Sequence, residues 1–109
     1  MIIRGGENIQ PTEIENYICT HPNIQDCYVV GVPSMRLGEE VAAYIKLKEG
    51  LEVSMEELVQ YCHAGLARYK VPKYSKFVTE YPQTVTGKVK KFELQKGAIN
   101  DFPELAKEI

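Results

Sequence analysis

The sequence predicts an α+β domain in which a small central β-sheet of about three strands is flanked by helices. Two runs rich in β-branched and aromatic residues, 24–32 and 41–47, lie on either side of a turn-like segment. Capping residues near Pro11 and Ser54 precede apolar residues at helical spacing. The length of 109 residues suits one compact core and is too short for two domains.

The first helix is predicted to begin at Pro11, because proline suits the first turn of a helix. Thr12 and Glu15 have the spacing of a capping box, and acidic side chains here favour the positive end of the helix dipole. The helix is expected to end near His21, since the proline that follows disfavours helical geometry in the residue before it. Its apolar face would consist of Ile14, Tyr17 and Ile18.

The two β-rich runs are predicted to pair as antiparallel strands, the simplest arrangement for strands joined by the turn at 33–38. A third strand is predicted over 75–79, and its far end leads into the segment 81–88.

A second helix is predicted to follow Ser54, and Glu57 has the spacing that completes a capping box. A short third helix is predicted over 89–99, and 101–109 is expected to be a polar tail that frays. The apolar stripe of the second helix would consist of Met55, Leu58, Val59, Cys62 and Leu66, which makes Cys62 a core residue.

Basic residues are concentrated in one part of the chain, although the net charge is only −2. Residues 1–67 hold four basic and ten acidic side chains, whereas residues 68–96 hold eight and two. Such a patch can attract phosphate on a nucleotide, a cofactor or a nucleic acid; for most of these lysines a solvated basic face is favoured instead. Aromatic residues fall mostly at core spacing, which disfavours a base-stacking platform, and no nucleic acid partner is expected.

Cysteine content and hydropathy favour a reducing, cytoplasmic environment. The three cysteines include no Cys-x-x-Cys pair, which argues against a disulfide framework or a zinc site, and no metal site is predicted. The N-terminus shows no secretory signal, and no segment approaches the ~20 apolar residues needed to span a bilayer.

Two glycine-bearing segments are the strongest candidates for functional loops. Segment 4–8 contains Gly5 and Gly6, and their lack of side chains allows another molecule to approach the backbone closely. Segment 81–88 presents Lys88 after a proline-marked turn, and Gly87 permits backbone angles that other residues resist.

The Gly87-Lys88 pair does not make a nucleoside triphosphatase by itself. A Walker A loop needs a glycine five positions before the Gly-Lys pair and a hydroxyl residue directly after the lysine, and Pro82 and Val89 occupy those positions. Lys88 would therefore have to act on phosphate that another surface supplies.

Other catalytic groups are not apparent. No esterase-type Gly-x-Ser-x-Gly motif occurs, and serine and histidine are too sparse and ill-placed for a nucleophilic triad. The paired glutamates, including Glu39 and Glu40, are predicted to be turn, helix-start or surface residues rather than an acid/base pair.

Several segments together resemble the small C-terminal domain of the adenylate-forming (AMP-dependent) acyl-CoA synthetases, also called acid–thiol ligases. The matching segments are 1–11 with 13–15, 32–33 with 38–39, 69–73, and 82–88, and they occur in the family's order over nearly the whole chain. In that family the helix after the lysine usually carries a pair of arginines. Here Lys91 takes the first of these places and Gln95 the second.

The resemblance implies an ATP-dependent ligase that joins a fatty or related carboxylic acid to AMP and then to CoA. It implies Lys88 as the catalytic residue, placed near ATP and the acyl-adenylate, where its ammonium group offsets the charge of the displacement. It also implies that Gly5, Gly6 and Glu7 help form the tunnel for the pantetheine arm of CoA. Mg²⁺ would be bound with the large N-terminal domain.

The same resemblance implies that residues 1–109 form one mobile lid domain. Its partner would be the large N-terminal ATP-binding domain, which is expected to be absent from this chain together with the hinge, so the isolated domain is predicted to be inactive. Rotation of the lid would serve two half-reactions. Weaker candidates for contacts with CoA phosphates are His63, Lys70 and Lys73.

The alternative is a free-standing regulatory or interaction module. Such a module would use its basic face to bind a nucleotide, CoA or a protein.

Overall fold

The computed structural model describes residues 1–81 and 89–103 of the chain. The segment 82–88, which carries Lys88, and most of the predicted polar tail lie outside the described residues.

Five strands and three α-helices make up the described structure. The strands are β1 (Ile2–Arg4), β2 (Glu7–Ile9), β3 (Ile24–Ser34), β4 (Gly38–Leu47) and β5 (Tyr74–Phe77). The helices are α1 (Pro11–Ile18), α2 (Met55–Gly65) and α3 (Lys91–Asp101), with a 3₁₀ turn at Arg68–Lys70.

The strands form one mixed sheet, in which β4 is the central strand. Its partner along one edge is β3, which pairs antiparallel from Ser34↔Gly38 to Ile24↔Leu47. Along its other edge β4 pairs with β5 in parallel and meets β1 in antiparallel orientation, and β1 pairs in turn with β2. The α+β class and the antiparallel pair are confirmed. The described sheet has five strands rather than about three, because the three-residue strands β1 and β2 are too short to show periodicity.

Two apolar cores lie on opposite faces of this sheet. The face covered by α1 and α2 contains Ile2, Ile9, Ile14, Ile18, Ile24, Cys27, Val29, Val41, Ala43, Ile45, Val53, Leu58 and Cys62. The face covered by α3 contains Val30, Val32, Ala42, Tyr44, Tyr74, Tyr81, Leu94, Ala98 and Phe102. Successive side chains of a strand point to opposite faces, and both faces of this sheet are covered. The central parts of the two long strands, 27–33 in β3 and 41–45 in β4, are therefore free of charged residues.

Helix α1 begins at Pro11 as predicted, but the prediction of a capping box formed by Thr12 and Glu15 is wrong. The residue before the first turn is Gln10, which makes no capping hydrogen bond. The carboxylate of Glu15 instead accepts a hydrogen bond from the amide of Val29 in β3, at 2.7 Å. The helix ends at Ile18, short of His21.

Helix α2 has the predicted cap. Ser54 Oγ accepts a hydrogen bond from the amide of Glu57 at 3.1 Å. The predicted apolar stripe is only half buried, because Leu58 and Cys62 face the sheet while Met55 and Val59 are exposed.

Helix α3 extends to Asp101, two residues beyond the prediction. Phe102 was expected in a polar tail, yet it is buried and its ring packs against those of Tyr44 and Tyr74, with centroids 5.6 and 5.3 Å away. This contact closes the second core.

All three cysteines are free thiols, of which Cys27 and Cys62 are buried and Cys19 is exposed. Burial raises the pKa of the Cys27 thiol well above its usual range and raises the pKa of Cys62 to about 11. Cys62 is therefore a core residue, as predicted. Over residues 1–81 and 89–103, the structure contains no helix with the length and apolar character to cross a membrane.

Candidate functional site

The paired glycines form the tip of the β1–β2 hairpin. Arg4 pairs with Glu7 across it, so Gly5 and Gly6 are its two central residues. Their φ angles are +55° and +88°, both in the left-handed region that two-residue hairpin turns use to match the strand twist. A Gly-Gly pair between two short segments that each contain isoleucine is a sequence signal for this hairpin, so β1 and β2 could have been predicted.

The two glycines differ in what surrounds them. A Cβ on Gly5 would lie 3.1 Å from Leu37 Cδ2, so this glycine is packed against its own domain. A Cβ on Gly6 would meet no atom within 4 Å. Gly6 therefore presents open backbone that a thin ligand could approach. The predicted site residue Glu7 lies beside it and is also exposed.

Contacts from the loop and strand after β3 hold the hairpin. The amide of Gly5 donates to the carbonyl of Leu37 at 2.8 Å. The amide of Ile3 donates to Glu39 Oε1 at 3.0 Å, and Arg4 Nε donates to Glu40 Oε1 at 2.7 Å. The prediction that both glutamates are only turn or surface residues is wrong for Glu40, which is buried.

A polar cavity of about 330 Å³ adjoins the hairpin. Its lining includes three cationic side chains and one carboxylate and comprises Arg4, Ser34, Arg36, Leu37, Glu40 and Lys73. Lys73 was a weak candidate for an anion contact, and the fold brings it near Arg4 and Arg36, which the sequence did not single out. Lys70 is instead ion-paired with Glu13 at 2.6 Å, which raises its pKa.

The described residues on either side of segment 82–88 are anchored to the domain. Before it, the phenol of Tyr81 contacts the carbonyl of Tyr44 at 3.0 Å. After it, Lys91 Nζ lies 2.7 Å from Glu15 Oε2, and Gln95 Nε2 donates to the carbonyl of Gly31 at 2.8 Å. The two positions where the family usually has arginines therefore make contacts within this domain.

Ion pairs offset part of the basic charge of residues 68–96. Lys70, Lys76 and Lys91 pair with Glu13, Asp101 and Glu15, respectively. Two of these partners come from the acidic first half of the chain, so the fold mixes charges that the sequence separates.

The described parts of the chain, 1–81 and 89–103, contain no group of three or more His, Cys, Asp and Glu side chains arranged to hold a metal ion.

Comparison with known proteins gives a consistent result. The family model described as "AMP-binding enzyme C-terminal domain" matches residues 13–88. The putative acyl-CoA synthetase YngI of Bacillus subtilis is 50% identical over 102 residues, covering 94% of this chain and 19% of that protein. The mitochondrial medium-chain acyl-CoA ligase ACSF2 of Danio rerio is 55% identical over 95 residues, covering 87% of this chain and 16% of that protein.

A solved structure shows the same fold. ATP-bound MatB from Rhodopseudomonas palustris superposes with a TM-score of 0.85 at 31% identity, covering 92% of this chain and 20% of that one. The chain thus spans less than a fifth of the length of the two curated relatives and a fifth of MatB. The match over residues 13–88, the identity to the curated relatives and the fold shared with MatB lead to one conclusion. The chain belongs to the AMP-binding enzyme C-terminal domain family, the domain found in acyl-CoA synthetases.

Proposed function

We propose that the chain is the mobile C-terminal domain of an AMP-forming acid–thiol ligase that makes an acyl-adenylate and then an acyl-CoA. The observation that carries this proposal is the open backbone at Gly6, on a hairpin tip, in a chain of this family. The partner is a large N-terminal domain that binds ATP and the acid, and the relatives' greater length supports this division. The isolated domain is expected to be inactive.

In the first half-reaction a carboxylate oxygen attacks the α-phosphorus of ATP and displaces pyrophosphate. Negative charge is crowded at this step, and the ammonium group of Lys88 offsets it while aligning the reactants. The anchored residues Tyr81 and Lys91 lie seven positions before and three positions after Lys88, so the chain on both sides of the lysine starts from fixed points. ATP in the related MatB supports this cofactor. Mg²⁺ would be bound together with the large domain.

In the second half-reaction the thiol of CoA attacks the acyl carbon, and AMP leaves. The pantetheine arm that carries this thiol is thin, and it passes beside Gly5, Gly6 and Glu7. The absence of any atom within 4 Å of a Cβ built on Gly6 supports such a path. The cationic cavity beside the hairpin suits the phosphates at the other end of CoA.

The acid is a fatty acid or a related carboxylic acid. The name of the relative ACSF2, a medium-chain acyl-CoA ligase, supports a medium chain length. The odd number of thiols favours a cytoplasmic location, which stays a prediction.

The role of Lys88 is tested with Lys88→Ala in the full-length protein that contains this chain. Adenylation, measured as ATP–pyrophosphate exchange, should fall roughly 10²–10³-fold, the scale for losing one stabiliser of transition-state charge. Thioester formation from supplied acyl-adenylate should fall much less. An unchanged exchange rate, or an equal loss in both half-reactions, would contradict the proposal.

The role of the hairpin is tested with Gly6→Ala and Gly6→Asn. Both substitutions add a side chain to the pantetheine path, but asparagine tolerates a positive φ better than alanine. A loss of thioester formation in both variants would therefore result from the added side chain and not from backbone strain. Thioester formation should fall about tenfold or more while adenylation changes little. Gly50→Ala is the matched control, because Gly50 also has a positive φ (+77°) and an open Cβ position, but lies outside the hairpin. Thioester formation that survives both Gly6 substitutions would rule out this path.

The free-standing regulatory module is less well supported. The two curated relatives that match this chain at 50% and 55% identity carry enzyme names.

A further inference from the structure

We propose that Glu40 is a positioning residue for the Gly5-Gly6 turn, that it acts through Arg4, and that it thereby controls transfer of the acyl group to CoA. This inference rests on the proposed role of the hairpin in the second half-reaction. It assigns a function to a buried carboxylate that acts through the side chain it holds.

Glu40 is the one charged side chain that is buried in the described residues, with 3% of its surface exposed. Burying a carboxylate is costly unless a cation and hydrogen-bond donors compensate it. Both are present, since Oε1 accepts hydrogen bonds from Arg4 Nε at 2.7 Å and from the Val41 amide at 3.1 Å. The buried charge is therefore used to fix one side chain of β1.

Apart from the buried side chains of Ile2 and Ile9, the hairpin has few other attachments to the sheet. Its strands are three residues long, and a two-stranded hairpin of this kind is at best marginally stable alone. β1 pairs with β4 at a single position, Arg4↔Gly38. The orientation of the tip consequently depends on the individual contacts made by Ile3, Arg4 and Gly5.

Glu39 complements Glu40 from the other face of β4. Adjacent residues of a strand point to opposite faces, and Glu39 Oε1 accepts a hydrogen bond from the Ile3 amide at 3.0 Å. Gly31 makes room for this carboxylate, because a Cβ there would collide with it and would also lie 3.2 Å from Ile2 Cγ1. Two neighbouring glutamates thus hold two successive residues of β1.

Arg4 directly precedes the turn, so a change in its position moves Gly5 and Gly6. A displacement on the order of 1 Å is enough to cost a large factor in a reaction that depends on alignment. Loss of the Arg4–Glu40 contact should therefore impair the step that uses the hairpin and spare the step that uses Lys88.

The experiment uses Glu40→Gln and Arg4→Lys in the full-length protein. Glutamine keeps the size and one acceptor oxygen but removes the charge, and lysine keeps a cation but loses the planar guanidinium geometry. We expect kcat/KM for CoA in thioester formation to fall about tenfold, with pyrophosphate exchange within about twofold of the parent. Arg4→Lys leaves Glu40 a cationic partner, so it tests the inference even if Glu40→Gln does not fold.

Ser54→Ala is the control for lost stability. It removes the acceptor of the Glu57 amide, a contact of 3.1 Å at the start of α2 and outside the hairpin and the residues that flank segment 82–88. Thermal unfolding should show a lower melting temperature, while the ratio of the two half-reaction rates stays at the parent value. If Glu40 has only a structural role, Glu40→Gln should likewise lower the melting temperature and leave the ratio of the two half-reaction rates unchanged.

The inference is overturned if Glu40→Gln and Arg4→Lys reduce both half-reactions equally, or change neither. Its failure can be told apart from failure of the proposed function. If Gly6→Asn impairs thioester formation while Glu40→Gln and Arg4→Lys do not, only the positioning role is lost. If the Gly6 variants have no effect, the hairpin does not serve the CoA step, and both ideas fall.

Discussion

The phenol of Tyr81 lies 3.0 Å from the backbone carbonyl of Tyr44 and 3.3 Å from that of Asp26, which fixes the last described residue before segment 82–88. Tyr44 also reaches the helix after that segment, since its own hydroxyl lies 3.2 Å from the carbonyl of Leu94 and 2.9 Å from Asp101 Oδ2. One residue of the central strand therefore holds the chain on both sides of the proposed catalytic loop.

Tyr81→Phe should lower the free energy of unfolding by about 1–2 kcal/mol, because the buried carbonyl of Tyr44 and the partly buried carbonyl of Asp26 lose their shared donor. Urea denaturation of the chain measures this change. Tyr28→Phe is the control: its ring contacts that of Tyr81 with centroids 4.7 Å apart, and its hydroxyl has no hydrogen-bond partner among the described residues. A loss as large in Tyr28→Phe would mean that the hydrogen bonds of Tyr81 contribute little.

Two glycine-to-alanine substitutions in helices should have opposite signs. Gly65 ends α2 against the ring of Tyr17, and a Cβ there would overlap that ring, so Gly65→Ala should destabilise the chain by roughly 1–3 kcal/mol. Gly97 lies within α3, where a Cβ would meet Asp101 Oδ2 at an ordinary 3.6 Å. Gly97→Ala should therefore stabilise the chain by up to about 1 kcal/mol through helix propensity.

Thermal or chemical denaturation of the two variants side by side provides the measurement. Stabilisation by Gly65→Ala would show that Tyr17 can move aside at little cost.

Stability should decline as the pH rises above 9. The pKa of Cys62 is raised by burial from 9.0 to about 11, so the unfolded chain releases this proton first and the unfolded state is stabilised relative to the folded state between those values. The stabilising contribution of the protonated thiol is complete below pH 9 and is lost as the pH approaches 11. Burial shifts the pKa of the Cys27 thiol in the same direction, so both cysteines contribute to the decline.

Cys62→Ala should flatten this pH dependence by up to one proton, as measured from unfolding free energies across the alkaline range. Leu58→Ala, on the same buried face of α2, is the control, because it should lower stability at every pH without altering the slope. An unchanged slope in Cys62→Ala would show that Cys62 is not a source of the decline.

Ser54→Ala should cost about 1 kcal/mol of stability, since the amide of Glu57 would lose its acceptor at the start of α2. Ser54→Asp retains an acceptor at the same place and should keep most of the stability. Equal losses in the two variants, measured by urea denaturation, would indicate that the hydroxyl acts in some other way.

Local sequence patterns were sufficient for much of the fold. The β-branched runs predicted β3 and β4 and their antiparallel pairing, and Ser54 predicted the start of α2. These features depend on backbone preferences and on capping groups within a few residues, so they can be read without knowledge of the rest of the chain. The ordered motifs likewise indicated the family, which the match over 13–88 confirms.

Long-range contacts decided what local patterns could not. The predicted cap residue Glu15 instead joins α1 to β3 and α3. Glu40, expected at the surface, is buried and pairs with the partly exposed Arg4, 36 residues away along the chain. The basic stretch is partly neutralised by acidic side chains from other regions. Packing of distant segments decides which acidic and basic side chains meet, and the energy of the resulting ion pair depends on its burial. The sequence by itself therefore determined the main helices and strands. Only the tertiary structure determined the polar contacts between them.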